Sequence, residues 1–185
     1  SNSELVVTSR TFNDTSAGSY GQYIEGYPVL EAFGPNEEAR LIQLVKTNDY
    51  RTNIGFANAT GSTLNVNVSL HRSDGSQVGT RGFAVSPYGY LQENDIFAKV
   101  GATWVDDGYA VVTSSTVGAR FFTYASVIDN RTNDPVCIAP VHAGATDLYV
   151  PAAAYASGVA GTNWLTDLEV HNPGPGTWQA GAPGA

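Results

Sequence analysis

The sequence predicts an all-β protein in which two antiparallel sheets pack face to face as a sandwich. Apolar and polar residues alternate across residues 64–71, and this period of two is typical of a strand with one buried face. The apolar positions are Leu64, Val66, Val68 and Leu70. Turn residues recur about every eight to twelve positions between residues 36 and 141, which predicts about seven or eight short strands.

The elements of this predicted sandwich follow from its apolar runs and its turn residues. Breaker and charged residues at 34–38 separate it from the preceding segment. Strands are predicted at residues 39–46, 50–58, 64–71, 77–85, 87–93, 109–116, 119–128 and 135–139. Asp74-Gly75 predicts a hairpin, Asn94 caps one helical turn over residues 95–100, and Asp106-Asp107-Gly108 predicts a turn. Residues 119–128 are apolar on both faces, so we expect that strand at the centre of its sheet.

The expected core takes the apolar positions of these strands. Its members are Phe56, Val66, Val68, Leu70, Val112, Phe122 and Val127. Outside the sandwich, strands are predicted at residues 4–11, 20–24 and 28–33 on one side, and at residues 147–154 and 164–172 on the other. A tail rich in Gly, Pro and Ala follows, and we expect it to be extended or disordered.

A sequence echo divides the chain. Residues 6–11 read VVTSRT and residues 111–116 read VVTSST. Residues 28–32 and 50–58 return in the same order as residues 135–139 and 164–172, and the extra length falls in a loop. This pattern predicts tandem repeats of about one domain each. Residues 1–35 would be the terminal strands of a preceding repeat, residues 36–141 a complete β-sandwich repeat, and residues 142–185 the initial strands of a following repeat with the tail.

Three stretches resemble those of a known class of proteins: residues 52–58, the paired-valine strands at 6–9 and 111–114, and residues 123–131. On these the chain resembles the tandem immunoglobulin-like β-sandwich repeats of large secreted bacterial proteins. The resemblance implies an antiparallel immunoglobulin-like β-sandwich with flanking partial-repeat strands. It also implies an extracellular or cell-surface role as a stalk, an adhesive module or an appendage to a secreted enzyme, and it transfers no catalytic residue.

Composition limits the partners of the chain. A net charge of −8 and a pI near 4.6 argue against binding of nucleic acid, which needs a basic face. No apolar run approaches the roughly 18 residues of a membrane span. The chain contains no methionine, from which we expect that a leader was removed or that this is a fragment. The single cysteine, Cys137, is expected to be a small buried residue on a strand.

The sequence contains no pattern that predicts catalysis. His71, His142 and His171 have no metal-ligand spacing, and no nucleophile elbow or phosphate-binding glycine loop is present. We therefore expect a protein that is not an enzyme and that has no cofactor. A His-centred pair in a cleft, or a cluster of perturbed carboxylates, would favour an enzyme instead.

The polar turn over residues 129–134 is the best candidate metal site, and Asp106-Asp107 is a weaker one. Asp129, Asn130, Asn133 and Asp134 offer the carboxylate and amide oxygens that calcium prefers. The alternative is a turn in which these side chains accept hydrogen bonds from their own backbone. Arg131 within the loop favours that alternative, because a cation repels calcium.

Aromatic residues suggest an alternative function, that of a carbohydrate-binding accessory module of a secreted protein. Tyr88, Tyr90, Trp104 and Tyr109 lie close together in the sequence and could line a face that stacks against a glycan. Packing within the sheets explains the same residues, since strands favour aromatic side chains.

The first function predicted is structural: a non-enzymatic extracellular module of a stalk, adhesin or self-assembling fibre. Two or three strands without a partner sheet are marginally stable in water, so the terminal strands need a partner. We expect self-association through Val6, Val7, Ile24, Val29, Leu148, Val150, Trp164, Leu168 and Val170. The two sets of strands could pair within one chain, as a composite domain. They could also pair head to tail between chains as a filament, which we favour.

Overall fold

The computed structural model describes residues 5–16, 18–141, 148, 150, 152–172 and 174 of the 185-residue chain. The chain divides into two compact units, Ser1–His142 and Ala143–Ala185. In the described residues no helix is long and apolar enough to cross a membrane.

The described strands of the first unit form two four-stranded sheets and a separate hairpin. In chain order they are β1 (Thr8–Thr15), β2 (Gly18–Glu25), β3 (Ala39–Lys46), β4 (Tyr50–Asn58), β5 (Leu64–Arg72), β6 (Gln77–Val85), β7 (Tyr90–Glu93), β8 (Val105–Thr113), β9 (Phe121–Asp129) and β10 (Pro135–Ile138). Sheet 1 has the order β3-β8-β5-β6 and sheet 2 the order β10-β9-β4-β7. All neighbouring strands are antiparallel, which confirms the predicted all-β antiparallel sandwich.

The core lies between these two sheets. The apolar positions of β5 all point inward, as the alternation predicted, and Phe56, Val66, Val68, Leu70 and Val112 are all buried as expected. Strand β9 is central in sheet 2, between β10 and β4, as its apolar pattern indicated. Val127 is half-buried and packs against the core, whereas the expectation for Phe122 is wrong. Phe121 fills the core instead, since the alternation along β9 turns Phe122 to the outer face.

Residues 28–33, predicted as a strand, contain a short 3-10 helix, Val29–Glu31. The apolar run here serves to place one residue, Phe33, in the core. The backbone N–H of Phe33 donates to the Phe121 carbonyl (2.9 Å), and the Phe121 N–H donates back (3.0 Å). A second isolated bridge joins Arg40 to Val141 where the chain leaves the sandwich.

The turn predicted at Asp106-Asp107-Gly108 is also wrong, because these residues lie inside β8. Val105 is fully buried and pairs with Lys46, which extends the strand beyond the acidic pair. Gly108 lies at a register shift, and a β-carbon there would stand 2.6 Å from the His71 carbonyl oxygen. Glycine therefore permits close backbone approach in this strand rather than a turn.

The hairpin of β1 and β2 packs on the outer face of sheet 2. Ser126 Oγ on β9 donates to Gln22 Oε1 on β2 at 2.8 Å, and the rings of Tyr27 and Phe122 stack with centroids 6.1 Å apart. Strands β1 and β2 pair with each other, whereas β8 and β9 lie in different sheets.

In the second unit, β11 (Tyr155–Ser157) pairs with β12 (Asn163–Leu165) around a short 3-10 helix, Val159–Gly161. The strand predicted at residues 164–172 is thus formed only at its beginning. The strand predicted at residues 147–154 falls partly outside the described residues, and the residues described there are not in a strand.

Candidate functional site

The terminal segments carry most of the exposed large apolar side chains of the described chain. Those predicted for assembly are exposed at Val6, Val7, Val29, Leu148, Val150, Trp164, Leu168 and Val170. Ile24 differs, because it is half-buried against sheet 2. Exposed apolar surface of this kind marks interaction sites, whereas scattered single residues do not.

The hairpin offers a strand edge as well as apolar side chains. Strand β1 pairs with β2 on one side, and all eight of its residues are exposed. On its other side no strand of the described residues pairs with it. An edge of this kind can accept a further strand through its backbone groups.

The second unit contains a matching segment. Residues 166–172 alternate apolar Leu168 and Val170 with polar Asp167, Glu169 and His171, the period of a half-buried strand. Yet these residues form no strand, and Leu168 and Val170 are exposed. The segment therefore combines the alternation of a strand with two exposed apolar side chains.

In the turn at residues 129–134, Asp129 accepts hydrogen bonds from the backbone of the turn, whereas the Asn130 and Asn133 oxygens accept from Arg51. Asp129 Oδ1 accepts hydrogen bonds from the N–H groups of Arg131 (2.6 Å) and Thr132 (3.2 Å), and these bonds hold the pKa of the Asp129 carboxyl below its usual range. The guanidinium of Arg51 donates to Asn130 Oδ1 (2.7 Å) and Asn133 Oδ1 (3.1 Å). An arginine thus bonds to two of the oxygens that calcium would require. The described residues contain no cluster of three or more His, Cys, Asp or Glu side chains suited to a metal.

A groove lies between the hairpin and the outer face of sheet 2, with a volume of about 440 Å³. We name it the tyrosine groove. Its walls and floor include Gln22, Ile24, Tyr90, Gln92, Phe122 and Tyr124. A second cavity of about 190 Å³ shares Ile24 and Tyr124 with it and reaches Cys137. Burial raises the pKa of the half-buried Cys137 thiol, which makes it a poor nucleophile.

A chain of hydrogen bonds fixes the polar side of the tyrosine groove. The hydroxyl oxygens of Tyr90 and Tyr124 are 2.5 Å apart, and the Tyr124 hydroxyl is 2.7 Å from Gln92 Oε1. The Tyr90 hydroxyl also lies 3.1 Å from Gln92 Oε1, so either hydroxyl can donate to the other while both lie within hydrogen-bonding distance of Gln92. Gln92 Nε2 then donates to Asn94 Oδ1 at 3.0 Å. Burial, and then the Tyr90 hydrogen bond, raise the pKa of Tyr124 well above its usual value.

The structure does not place the four aromatic residues suggested by the sequence on one face. Tyr109 stacks on His71 in sheet 1, whereas Tyr90 belongs to sheet 2 and lines the tyrosine groove. Tyr88 and Trp104 are exposed and line none of its surface. Sequence reasoning missed Tyr124, because its partner Gly55 on the neighbouring strand is far from it in the sequence.

One His-centred pair does occur on the outer face of sheet 1. Ser69 Oγ lies 2.8 Å from His71 Nε2, and His71 Nδ1 lies 3.3 Å from the Gly75 carbonyl oxygen. The distances resemble those of a nucleophile and its base. The pair, however, alternates with core residues on one strand at partly exposed positions and lies outside the tyrosine groove.

Comparison with known proteins gives one structural similarity. No protein-family model matches the chain, and no curated protein matches it. Among solved structures it is similar to the crystal structure of Thermotoga maritima 1070, with 11% sequence identity and a TM-score of 0.45. The alignment covers 58% of this chain and 95% of that chain.

Proposed function

We propose that this chain is a non-enzymatic extracellular structural module that self-associates head to tail through its terminal segments. The observation that carries the proposal is the strand-like segment at residues 166–172, whose apolar side chains Leu168 and Val170 are exposed. The edge of β1 in a second copy would cover these two side chains.

The sandwich itself needs no partner. Phe56, Leu70 and Val112 are fully buried by the two sheets alone. The exposed apolar side chains are instead concentrated before residue 31 and after residue 147. This division supports a module with a stable body and adhesive ends.

The partner surface is the edge of β1. Strand addition of residues 163–172 from a second chain would satisfy backbone groups along Thr8–Thr15 and cover exposed side chains such as Val7 and Phe12. The contact joins two different surfaces, so it is heterologous and propagates unless it closes into a ring. A stalk, adhesin or fibre is the product of such propagation.

The extracellular location rests on composition and resemblance. Gly, Thr, Ser and Asn are abundant in the strands and turns, and the chain resembles repeats of secreted bacterial proteins. An acidic surface with a net charge of −8 keeps a protein soluble in the absence of specific contacts.

Light scattering over a series of concentrations tests the proposal. We expect the chain to form concentration-dependent oligomers and Leu168→Asp to abolish them, because a carboxylate cannot be buried in the new contact without a partner. The matched control is Val117→Asp, since Val117 is 96% exposed on a loop of the sandwich. It should leave assembly unchanged.

Removal of residues 146–185 distinguishes the remaining alternatives. If the whole chain stays a compact monomer at high concentration, head-to-tail assembly is wrong and pairing within one chain replaces it. If the truncated chain also remains as soluble and as stable as the whole, neither form of pairing exists.

A further inference from the structure

We propose that the tyrosine groove binds a neutral saccharide. The inference rests on the groove alone and does not depend on head-to-tail assembly. Its volume of about 440 Å³ falls within the roughly 300–1,000 Å³ typical of small-ligand sites. The adjoining 190 Å³ cavity shares Ile24 and Tyr124, so an elongated ligand has room to continue.

The composition of the groove matches the chemistry of a sugar. A sugar ring offers C–H groups that pack on aromatic faces and hydroxyl groups that both donate and accept hydrogen bonds. Phe122, Tyr124 and Tyr90 supply aromatic surface, while Gln22 and Gln92 supply amide groups.

The charge of the groove selects a neutral ligand. Glu25 is the charged residue among the described lining residues, and it is an acid. An anionic sugar or a phosphate would meet a carboxylate and no cation there. The aromatic faces would accept a cation, but the polar groups nearby are neutral hydroxyls and amides, which suit sugar hydroxyls better.

The polar groups are preorganised. Gln92 Oε1 accepts hydrogen bonds from the Tyr90 and Tyr124 hydroxyls, and Gln92 Nε2 donates to Asn94, so the orientation of the Gln92 amide is fixed. Ser126 donates to Gln22 Oε1, which fixes that amide and directs its two N–H donors away from Ser126. Tyr90 is 60% exposed, so its ring face is available to a ligand without rearrangement. Groups held in place before binding lose less entropy on binding.

An array of neutral oligosaccharides covering the common hexose and pentose linkages tests the inference. We expect saturable binding to at least one of them, confirmed by isothermal titration calorimetry on the full chain. Tyr90→Ala should weaken that binding about tenfold, the loss expected for one aromatic contact. The control Tyr88→Ala removes an exposed tyrosine two residues away, outside the groove, and should leave the affinity unchanged.

Three results would overturn the inference. The first is no binding to any neutral oligosaccharide on the array. The second is binding that Tyr90→Ala and Tyr88→Ala weaken equally, which would show a site elsewhere. The third is stronger binding of an uncharged, extended peptide than of any sugar, which would make the groove a strand-docking surface. Thermal melting of each variant, with an unchanged midpoint required, separates loss of binding from loss of fold.

Discussion

The ring of Tyr124 lies flat across Gly55 on the neighbouring strand of sheet 2. The two residues are direct partners in the register of β4 and β9, and a β-carbon at residue 55 would stand 2.2 Å from Tyr124 Cε1. Glycine in mid-strand ordinarily weakens a sheet. Here the Tyr124 ring occupies the space that a side chain at residue 55 would take. In this position its hydroxyl reaches Gln92.

Gly55→Ala should therefore displace the Tyr124 ring and open its hydrogen bonds. We expect a loss of about 1–3 kcal/mol in the free energy of unfolding, typical of overpacking. The same substitution should cost much less in a Tyr124→Ala background, because the clash is then absent. Denaturant unfolding of the four proteins in this double-mutant cycle measures the coupling. Additive effects would show that the two residues are not in contact.

The raised pKa of Tyr124 predicts that the protein becomes less stable at alkaline pH. Its pKa is raised in the folded protein, so the folded state holds the phenolic proton more tightly than the unfolded state does. The stabilisation is fully present below the unfolded pKa of about 10 and is lost as pH rises above it. Between about pH 9 and 11, the free energy of unfolding should fall less steeply with pH in Tyr124→Phe than in the unmodified protein. Urea unfolding at a series of pH values measures this dependence. An equal fall in the free energy of unfolding for both proteins would show that Tyr124 does not cause it.

Arg51 predicts how the polar turn responds to calcium. Because its guanidinium already bonds to Asn130 and Asn133, millimolar calcium should not raise the melting temperature. Arg51→Ala should lower stability by about 1 kcal/mol, since it removes two hydrogen bonds at a partly exposed site. Arg81→Ala, at an exposed position of β6, is the matched control. A calcium-dependent rise in melting temperature would restore the metal site.

The Ser69–His71 pair predicts no hydrolysis. It lies at partly exposed positions on the outer face of a sheet, where water competes for every hydrogen bond and a substrate is not oriented. We expect the chain to hydrolyse p-nitrophenyl acetate no faster than free imidazole at the same concentration. Ser69→Ala should leave that rate unchanged. A faster rate that Ser69→Ala abolishes would make the protein an esterase.

The local sequence pattern predicted those strands in which one face packs against the core and the other faces outward. The alternation along β5 predicted which side chains enter the core, because successive side chains of a strand point to opposite faces of the sheet. Residues 28–33 were wrongly predicted as a strand. A short apolar run does not distinguish a strand from this 3-10 helix followed by one buried residue, Phe33.

The tyrosine groove lay beyond such reasoning. It joins Gln22, Gln92 and Tyr124, which are far apart in the sequence and meet only because the hairpin covers sheet 2. The aromatic set chosen by proximity in the sequence included Tyr90 but separated it from the tyrosine that it contacts in space. Proximity along the chain is a poor guide in a sandwich, where most strand neighbours are distant in sequence.

The two isolated bridges lie where a pulling force on the chain would reach the sandwich. The chain enters the sandwich through the Phe33–Phe121 bridge and leaves it through the Arg40–Val141 bridge, and each is closed by two backbone hydrogen bonds. Tension on the C-terminal flank would meet the Arg40–Val141 bridge first, whereas tension on the N-terminal flank would first pull the β1–β2 hairpin from sheet 2 and then load the Phe33–Phe121 bridge. The protein would therefore lengthen at its two ends before the sheets of the core separate.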